Sequence, residues 1–514
     1  MALLGAILTA CSAGRQAPTA FPAYDPFIPL GSGTVGAAEQ VEPVAVHRGP
    51  TPTRVPLRVP VPAEGRFGGV RATPTPDLPR VVPTLRQETE QYVVQPGDTL
   101  GLVARRYGVS IDALIRANGL ANADVLEASM ALTIPPPEAG QGAPALKLIP
   151  DSELVNGPAA ALFDVAAFVR DSNGYLATYA ETVEDEFLTG SQILSRISRN
   201  YSVNPRLLLA LLEYESRWVT GQEPNLTDYP MGLQDDFRRG LYRQLAWTAD
   251  TLNRGYYLWR VNGIASWVLA DSSSVPVAPT LNAGTAALQN FFAQSRDRAA
   301  WDMAVGPEGF ISSYTALFGD PFALSIEPLV PSNLELPTLS LPFETGETWY
   351  FTGGPHGGWD SGSAWAALDF GPPGDTASCS PSLSWIAAVG DGPVARAGNG
   401  AVIQDLDNDG YEETGWVVLY MHVDSGERVE PGTYLFRGDR IGHPSCEGGL
   451  SNGTHLHLAR RYNGEWITAD RPYPFVLDGW VSSGSGIEYD GWLSRGEEEV
   501  WAWDGTSYAN QIGR

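Results

Sequence analysis

Basic charge is scarce in this 514-residue chain: 33 Lys and Arg stand against 59 Asp and Glu, and the formal net charge is −26. Binding to a phosphate backbone needs clustered Lys and Arg, so this balance argues against a nucleic-acid partner. Lysine itself is nearly absent, with Lys147 alone, which we read as codon bias without functional content. Beyond the first few residues no apolar stretch approaches the roughly 20 residues that span a bilayer, so no internal transmembrane helix is expected. Cysteine is also rare, at Cys11, Cys379 and Cys446, and an odd count calls for more than one explanation. What is present is 43% apolar residues, enough for packed cores, which excludes global disorder. At roughly 100–200 residues per domain, the length predicts about three domains.

Leu8-Thr9-Ala10-Cys11 closes a short apolar run. Residues 1–11 resemble a bacterial lipoprotein signal ending in a lipobox. That resemblance implies lipidation of Cys11, membrane attachment through the lipid and an extracytoplasmic location. An ordinary apolar N-terminus is the alternative, because residues 1–10 lack the basic opening of a secretory signal. Residues 12–90 hold 14 prolines among Gly, Ala and Thr, with no sustained apolar periodicity. Too few apolar side chains are present to offset ordering entropy, and the segment reads as a disordered, extended tether.

Residues 91–136 change character. A short strand over Tyr92–Val94 leads to a turn at Pro96-Gly97-Asp98, where Asp98 or Thr99 caps a helix. Leu100, Val103, Ala104 and Tyr107 recur at helical spacing, a second helix carries Leu114, Ile115 and Asn118, and Leu132-Thr133-Ile134 supplies another strand. Periodicity therefore predicts a small βααβ unit. Its Gly97-Asp98-Thr99-Leu100, its Tyr107-Gly108-Val109-Ser110 and a later Asn resemble the LysM family, which implies binding to N-acetylglucosamine-containing glycans such as peptidoglycan. Glu127-Ala128-Ser129 departs from the Gly-Gln turn usual in that family.

Residues 151–330 are mostly α-helical by pattern. The clearest helix is Pro205–Ser216, with Asn204 as its cap and Pro205 at the first helical position. It loosely resembles the helix of lysozyme-like lytic transglycosylases that ends in a catalytic Glu-Ser, here Glu215-Ser216. Gly232-Leu233-Gln234 and Leu252–Tyr257 would be counterparts of that family's later motifs. In that chemistry a Glu with a raised pKa, set in a cleft, protonates the glycosidic oxygen. A Glu ending an apolar helix is more often solvated or salt-bridged. Glu215 is thus a candidate second catalytic site, and a structural or glycan-positioning helical domain is the alternative.

His47 lies in the tether; the other five histidines are His356, His422, His443, His455 and His457. Thr454, Leu456 and Leu458 around His455 and His457 suggest a strand, where residues i and i+2 share a face. The two imidazoles either converge on one ion, or one binds it while the other acts on its water. A surface strand with two histidines is the plainer alternative. His356 follows the glycine-rich Gly353-Gly354-Pro355. Asp369 sits on the apolar strand Ala367–Phe370, where a half-buried carboxylate needs a cation or hydrogen bonds. His422 ends the apolar run Trp416–Tyr420. Two His and one Asp with an open fourth position match a catalytic zinc site.

Residues from about 345 to 470 resemble the lysostaphin-type (LytM-like) zinc endopeptidases of bacterial cell walls, and within them the beta-lytic subgroup. His356 and Asp369 stand thirteen positions apart, Cys446-Glu447-Gly448-Gly449 precedes the His-Leu-His, and Tyr462-Asn463-Gly464 follows it. The resemblance implies an antiparallel β domain over 336–480, one Zn2+ held by His356, Asp369 and His457, and His455 with His422 as the catalytic pair. It also implies cleavage of Gly-containing peptide bonds in peptidoglycan. His455 is the better candidate to take the proton of the metal-bound water and His422 to bond the oxyanion, though sequence leaves their order open. His443 matches no catalytic position and reads as structural. Two rivals remain: a non-catalytic wall-binding or activator protein, and a glycan-cleaving enzyme acting through Glu215.

Cys379 and Cys446 fall in loops of the zinc domain, and in an oxidising compartment they are expected to form a disulfide. Asp405, Asp407 and Asp409, followed by Gly410, have the spacing of a calcium loop. Trp416 stands where an EF-hand needs its bidentate Glu, which leaves a Ca2+-loaded hairpin tip or a plain acidic turn. Residues 481–514, rich in Trp and acids, read as an aromatic β-rich extension packing on the zinc domain or on glycan.

Overall fold

The computed structural model describes residues 77–83, 86–95, 98–121, 126–127, 129–137, 142–374, 378–449 and 451–514. Cys11, the expected signal and nearly all of the expected tether lie outside these residues. Among the described residues no helix is long and apolar enough to cross a membrane.

The first unit is β1 (Glu90–Val93), α1 (Leu100–Tyr107), α2 (Ile111–Asn118) and β2 (Ala131–Ile134). β1 and β2 pair antiparallel with Tyr92 opposite Leu132. Leu100, Val103, Ala104, Leu114, Leu132 and Ile134 form its core, so the helical and strand periods both point inward. Thr99 accepts from the Leu102 amide at 3.2 Å, whereas the Asp98 carboxylate accepts from the Tyr92 hydroxyl (2.6 Å) and the Gln95 amide (2.7 Å). Asn118 donates to the Thr133 carbonyl (2.8 Å) and accepts from its amide (2.7 Å), fastening α2 to β2.

The middle domain holds α3 (Val165–Ser172), the hairpin β3 (Ala180–Val183) and β4 (Glu186–Thr189), α4 (Gly190–Tyr201), α5 (Pro205–Ser216) and α6 (Leu241–Arg260). A second hairpin, β5 (Ser266–Val268) and β6 (Ser274–Pro276), precedes α7 (Ala283–Ala293), α8 (Arg298–Ala304) and α9 (Phe310–Phe318). The two hairpins interrupt what periodicity reads as mostly helix. α5 has the predicted bounds, with Asn204 accepting from the Arg206 amide and Pro205 in the first turn. Leu207 to Leu212 are all fully buried, as a helix apolar on every face must be. α6 crosses α7 at Gly255, where a Cβ would lie 2.8 Å from the Ala287 Cα.

The last domain is built on β7 (Thr348–His356), β8 (Ala367–Gly371), β9 (Ile386–Ala387), β10 (Gly392–Gly398), β11 (Ala401–Asp405), β12 (Trp416–Met421), β13 (Tyr434–Leu435), β14 (Arg440–Gly442), β15 (Leu456–Tyr462) and β16 (Glu465–Trp466). It ends in β17 (Val476–Leu477), β18 (Trp480–Gly484), β19 (Gly491–Arg495), β20 (Glu498–Trp501) and β21 (Gln511–Gly513). A nine-stranded sheet runs β13-β10-β11-β12-β15-β8-β7-β21, with β16 paired to β15. Every pairing around β8, β12 and β15 is antiparallel. β8 and β12 are buried at every residue, so they read as continuous apolar runs instead of alternating ones.

The expected boundary between 480 and 481 falls at the first residue of β18, inside the meander β17-β18-β19-β20. From that meander the chain returns to lay β21 along β7, with Ile512 opposite Trp349. Leu493, Val500 and Ile512 join Trp349 and Phe351 in one core. The extension therefore shares the core of this domain, and burial of these apolar side chains is the reason.

Candidate metal centre and peptidase groove

Strand register assembles the centre. Antiparallel pairing sets His457 on β15 opposite Asp369 on β8 and opposite Met421 on β12; Gly353 on β7 also faces Asp369. His356 ends β7 and His422 follows β12 directly. Four neighbouring strands thus bring together residues from near 356–369, 422 and 457.

His356 Nε2 lies 3.2 Å and His457 Nδ1 3.3 Å from Asp369 Oδ1, and the two nitrogens are 3.0 Å apart. All three residues are buried. The opposite ring nitrogens meet carbonyls: His356 Nδ1 faces Gly354 O at 2.8 Å and His457 Nε2 faces Gly358 O at 3.2 Å. A carbonyl can only accept, so these contacts assign the protons to Nδ1 of His356 and Nε2 of His457. Each imidazole then turns a lone pair toward the carboxylate, and Asp369 Oδ1 is buried without a hydrogen-bond partner. Three electron-rich atoms facing one another in a buried site repel unless a cation sits among them. The donor set of two nitrogens and one oxygen fits zinc with an open position.

The four groups also shift one another's protonation. Burial would raise the Asp369 carboxyl, but His356 and His455 hold it well below the usual carboxylate range. Burial lowers His356, and Asp369 outweighs it to give a net rise; His457 is lowered, chiefly by burial. His422 is held well below its ordinary value by burial and then by His455 and His457.

His455 turns Nδ1 to Gly453 O at 2.8 Å, leaving Nε2 3.8 Å from Asp369 Oδ1. Its ring lies 4.5 Å from that of His422. His422 contacts Glu447 O through Nδ1 at 3.1 Å and adopts φ 66°, a left-handed conformation that costs a β-carbon residue energy and recurs at functional sites. Cys379 and Cys446 form a disulfide with Cα atoms 5.2 Å apart, next to Glu447 on this wall. His443 instead packs on Trp385 and contacts Ser384 O at 2.9 Å.

Tyr489, in the loop between β18 and β19, was not a sequence candidate. Its ring stacks on His356 at 4.1 Å and 18°, while its backbone bonds Gly354 and Pro355. Burial first, and the Asp369 charge second, raise its phenol. No spacing rule links a tyrosine so far along the chain to His356; only the fold does.

Glu215 ends α5 with both oxygens on Arg296, at 2.8 and 3.0 Å, and its side chain is 6% exposed. Burial raises its carboxyl and Arg296 opposes the rise. Its surroundings are those of the salt-bridged alternative. Asp405, Asp407 and Asp409 bring one carboxylate oxygen each within 4.8 Å of one another. Asp405 also accepts from the amides of Asp407, Asn408 and Gly410, and Asp409 accepts from the Thr414 hydroxyl. Burial and Asp405 push Asp407 up to about 8.

In its site and its sequence matches the chain is similar to LysM-containing, LytM-like peptidases. Residues 92–135 match the LysM domain and residues 147–331 the LasA, N-terminal domain; the latter span covers the region that loosely resembles lytic transglycosylases. The chain is a homologue of protease LasA of Pseudomonas aeruginosa. It is 26% identical over 327 residues to the protein of strain UCBPP-PA14, covering 59% of this chain and 72% of that one. Among solved structures it is similar to the M23 metalloprotease pseudoalterin from deep-sea (23% identity, TM-score 0.28, 33% of this chain and 97% of that one). A second is the catalytic domain of lysostaphin from Staphylococcus simulans (20% identity, TM-score 0.18, 24% of this chain and 88% of that one).

Proposed function

We propose that this protein is a cell-wall hydrolase: an extracytoplasmic zinc endopeptidase that cuts Gly-containing peptide bonds in peptidoglycan and is held to the wall by its LysM module. The observation that carries the reading is the triangle of inward lone pairs on His356, His457 and Asp369, closed around an orphaned carboxylate oxygen. These three residues would hold the ion. When bound, it supplies acidity to a water molecule and polarises the scissile carbonyl.

The chain's own groups do the rest. His455, with Nδ1 donating to Gly453, presents an Nε2 lone pair beside the centre and takes the proton. His422, kept neutral, likewise points Nδ1 at a carbonyl; it can donate to the oxyanion from Nε2 only after gaining a proton. The resemblance to the beta-lytic subgroup supports glycine beside the cut bond. Attachment to a membrane through Cys11 belongs to the same proposal.

Digestion of purified peptidoglycan followed by mass spectrometry of the products tests this reading. New amino termini that vanish in Asp369→Ala are expected. Anhydro-muropeptides lost in Glu215→Gln would instead favour glycan cleavage. Intact peptidoglycan after exposure to zinc-loaded protein would overturn both enzymatic readings and leave a wall-binding protein.

A further inference from the structure

We infer that Asp250, on α6 of the helical domain, is a positioning residue for the metal centre of the peptidase domain, acting through the loop that follows His356. The inference rests on the zinc reading above. Its starting point is the Gly358 carbonyl, which accepts from His457 Nε2 and so keeps Nδ1 free for the ion. Metal-bound imidazoles are oriented by such outer partners. Whatever fixes Gly358 therefore fixes a ligand.

Two arms reach from α6 to the loop that carries Gly358. In the first, the Asp250 carboxylate accepts from the Gly362 amide at 2.5 Å and from the Ser361 hydroxyl at 3.4 Å. Arg254, one turn on, donates to the same hydroxyl at 2.9 Å, and Tyr201 at the end of α4 donates to Asp360 at 3.0 Å. The fit is close: a Cβ on Gly362 would lie 2.0 Å from the Asp250 carbonyl oxygen. In the second arm, the Tyr257 hydroxyl accepts from the Trp466 amide at 2.9 Å. The Trp466 indole covers Gly358 so closely that a Cβ there would sit 2.6 Å from the ring. Asp250, Arg254 and Tyr257 recur at i, i+4 and i+7, which is one face of a helix.

That face grips the loop at Ser361 and Gly362 directly and at Gly358 through Trp466. The helical domain is thus part of the peptidase's outer metal shell and more than a neighbour of it. Asp250 is the residue to test, because it grips loop backbone and touches no metal ligand itself.

The test compares full-length wild type, Asp250→Ala, Asp250→Asn and Gly362→Ala. Zinc affinity is read by chelator competition, and the site geometry by the visible absorption of the Co2+-substituted protein. Asp250→Ala should weaken zinc binding by up to roughly 10-fold, the low end of what losing a ligand's own hydrogen-bond partner costs, and shift the Co2+ bands. Asp250→Asn keeps an acceptor for Gly362 and should restore both toward wild type. Gly362→Ala leaves the carboxylate in place but forces the loop away, and should mimic Asp250→Ala; it carries the comparison if Asp250→Ala does not fold. Folded variants with wild-type zinc affinity and an unchanged Co2+ spectrum would overturn the inference. Wild type that binds no zinc would instead refute the zinc reading itself.

Discussion

His455 and His457 lie two residues apart on one face, and the carbonyls they meet give their rings different tasks. His457 turns Nδ1 toward Asp369 and His356, whereas His455 turns Nε2 toward the same carboxylate from 3.8 Å. The difference predicts a split between binding and rate. His457→Ala should lose stoichiometric zinc, measured by metal analysis after gel filtration. His455→Ala should keep its zinc and lose about 10²–10⁴-fold in kcat, the usual range for a missing general base. Equal zinc loss in both variants would reverse the roles assigned here. At this scale much was legible. The His-x-His pair, the acid on an apolar strand and a histidine closing another strand announce themselves by type and period. Tyr489 and Asp250 do not, because each reaches the centre through contacts far apart in sequence.

Elements divide along the same line. α5 could be read to the residue because an Asn-Pro start precedes an unbroken apolar run, so local chemistry and burial agree. The meander and β21 could not, since the residues 481–514 look merely aromatic and acidic until Ile512 meets Trp349 across a strand pair. β21 is the outer strand beside β7, the strand that ends in His356. Deleting residues 511–514 would remove three ladder positions and uncover the apolar surface that Ile512, at 1% exposure, now fills. Burying such a side chain contributes about 1.5–3 kcal/mol. We expect the truncated protein to unfold at lower urea, by at least that amount, when followed by tryptophan fluorescence. An unchanged midpoint would show that β21 is a dispensable edge.

At the scale of the whole molecule the helical and peptidase domains meet through a buried charge network. Glu412, in the segment between β11 and β12, pairs with Arg396 on β10 and Arg461 on β15 at 3.0 Å each. Those same arginines continue into the helical domain, Arg396 to the Asn200 side chain at 2.9 Å and Arg461 to the Arg199 carbonyl at 3.1 Å. Burial would raise the Glu412 carboxyl, yet Arg396 and Arg461 bring it down to about 2. A depressed carboxyl contributes stability that is complete above its unfolded pKa, near 4.5, and is lost as pH falls toward the folded value. Glu412→Ala leaves the buried Arg461 and the partly exposed Arg396 without their carboxylate, a loss of about 3 kcal/mol at neutral pH. The gap between wild type and variant should therefore narrow as pH falls from 4.5 to 2. Because the arginines serve both domains, wild type should melt these domains in one transition, and Glu412→Ala should separate them into two. Calorimetry across that pH range reads both effects. A pH-independent gap, or a single transition retained in the variant, would mean that the apolar contacts between the domains suffice without the charge network.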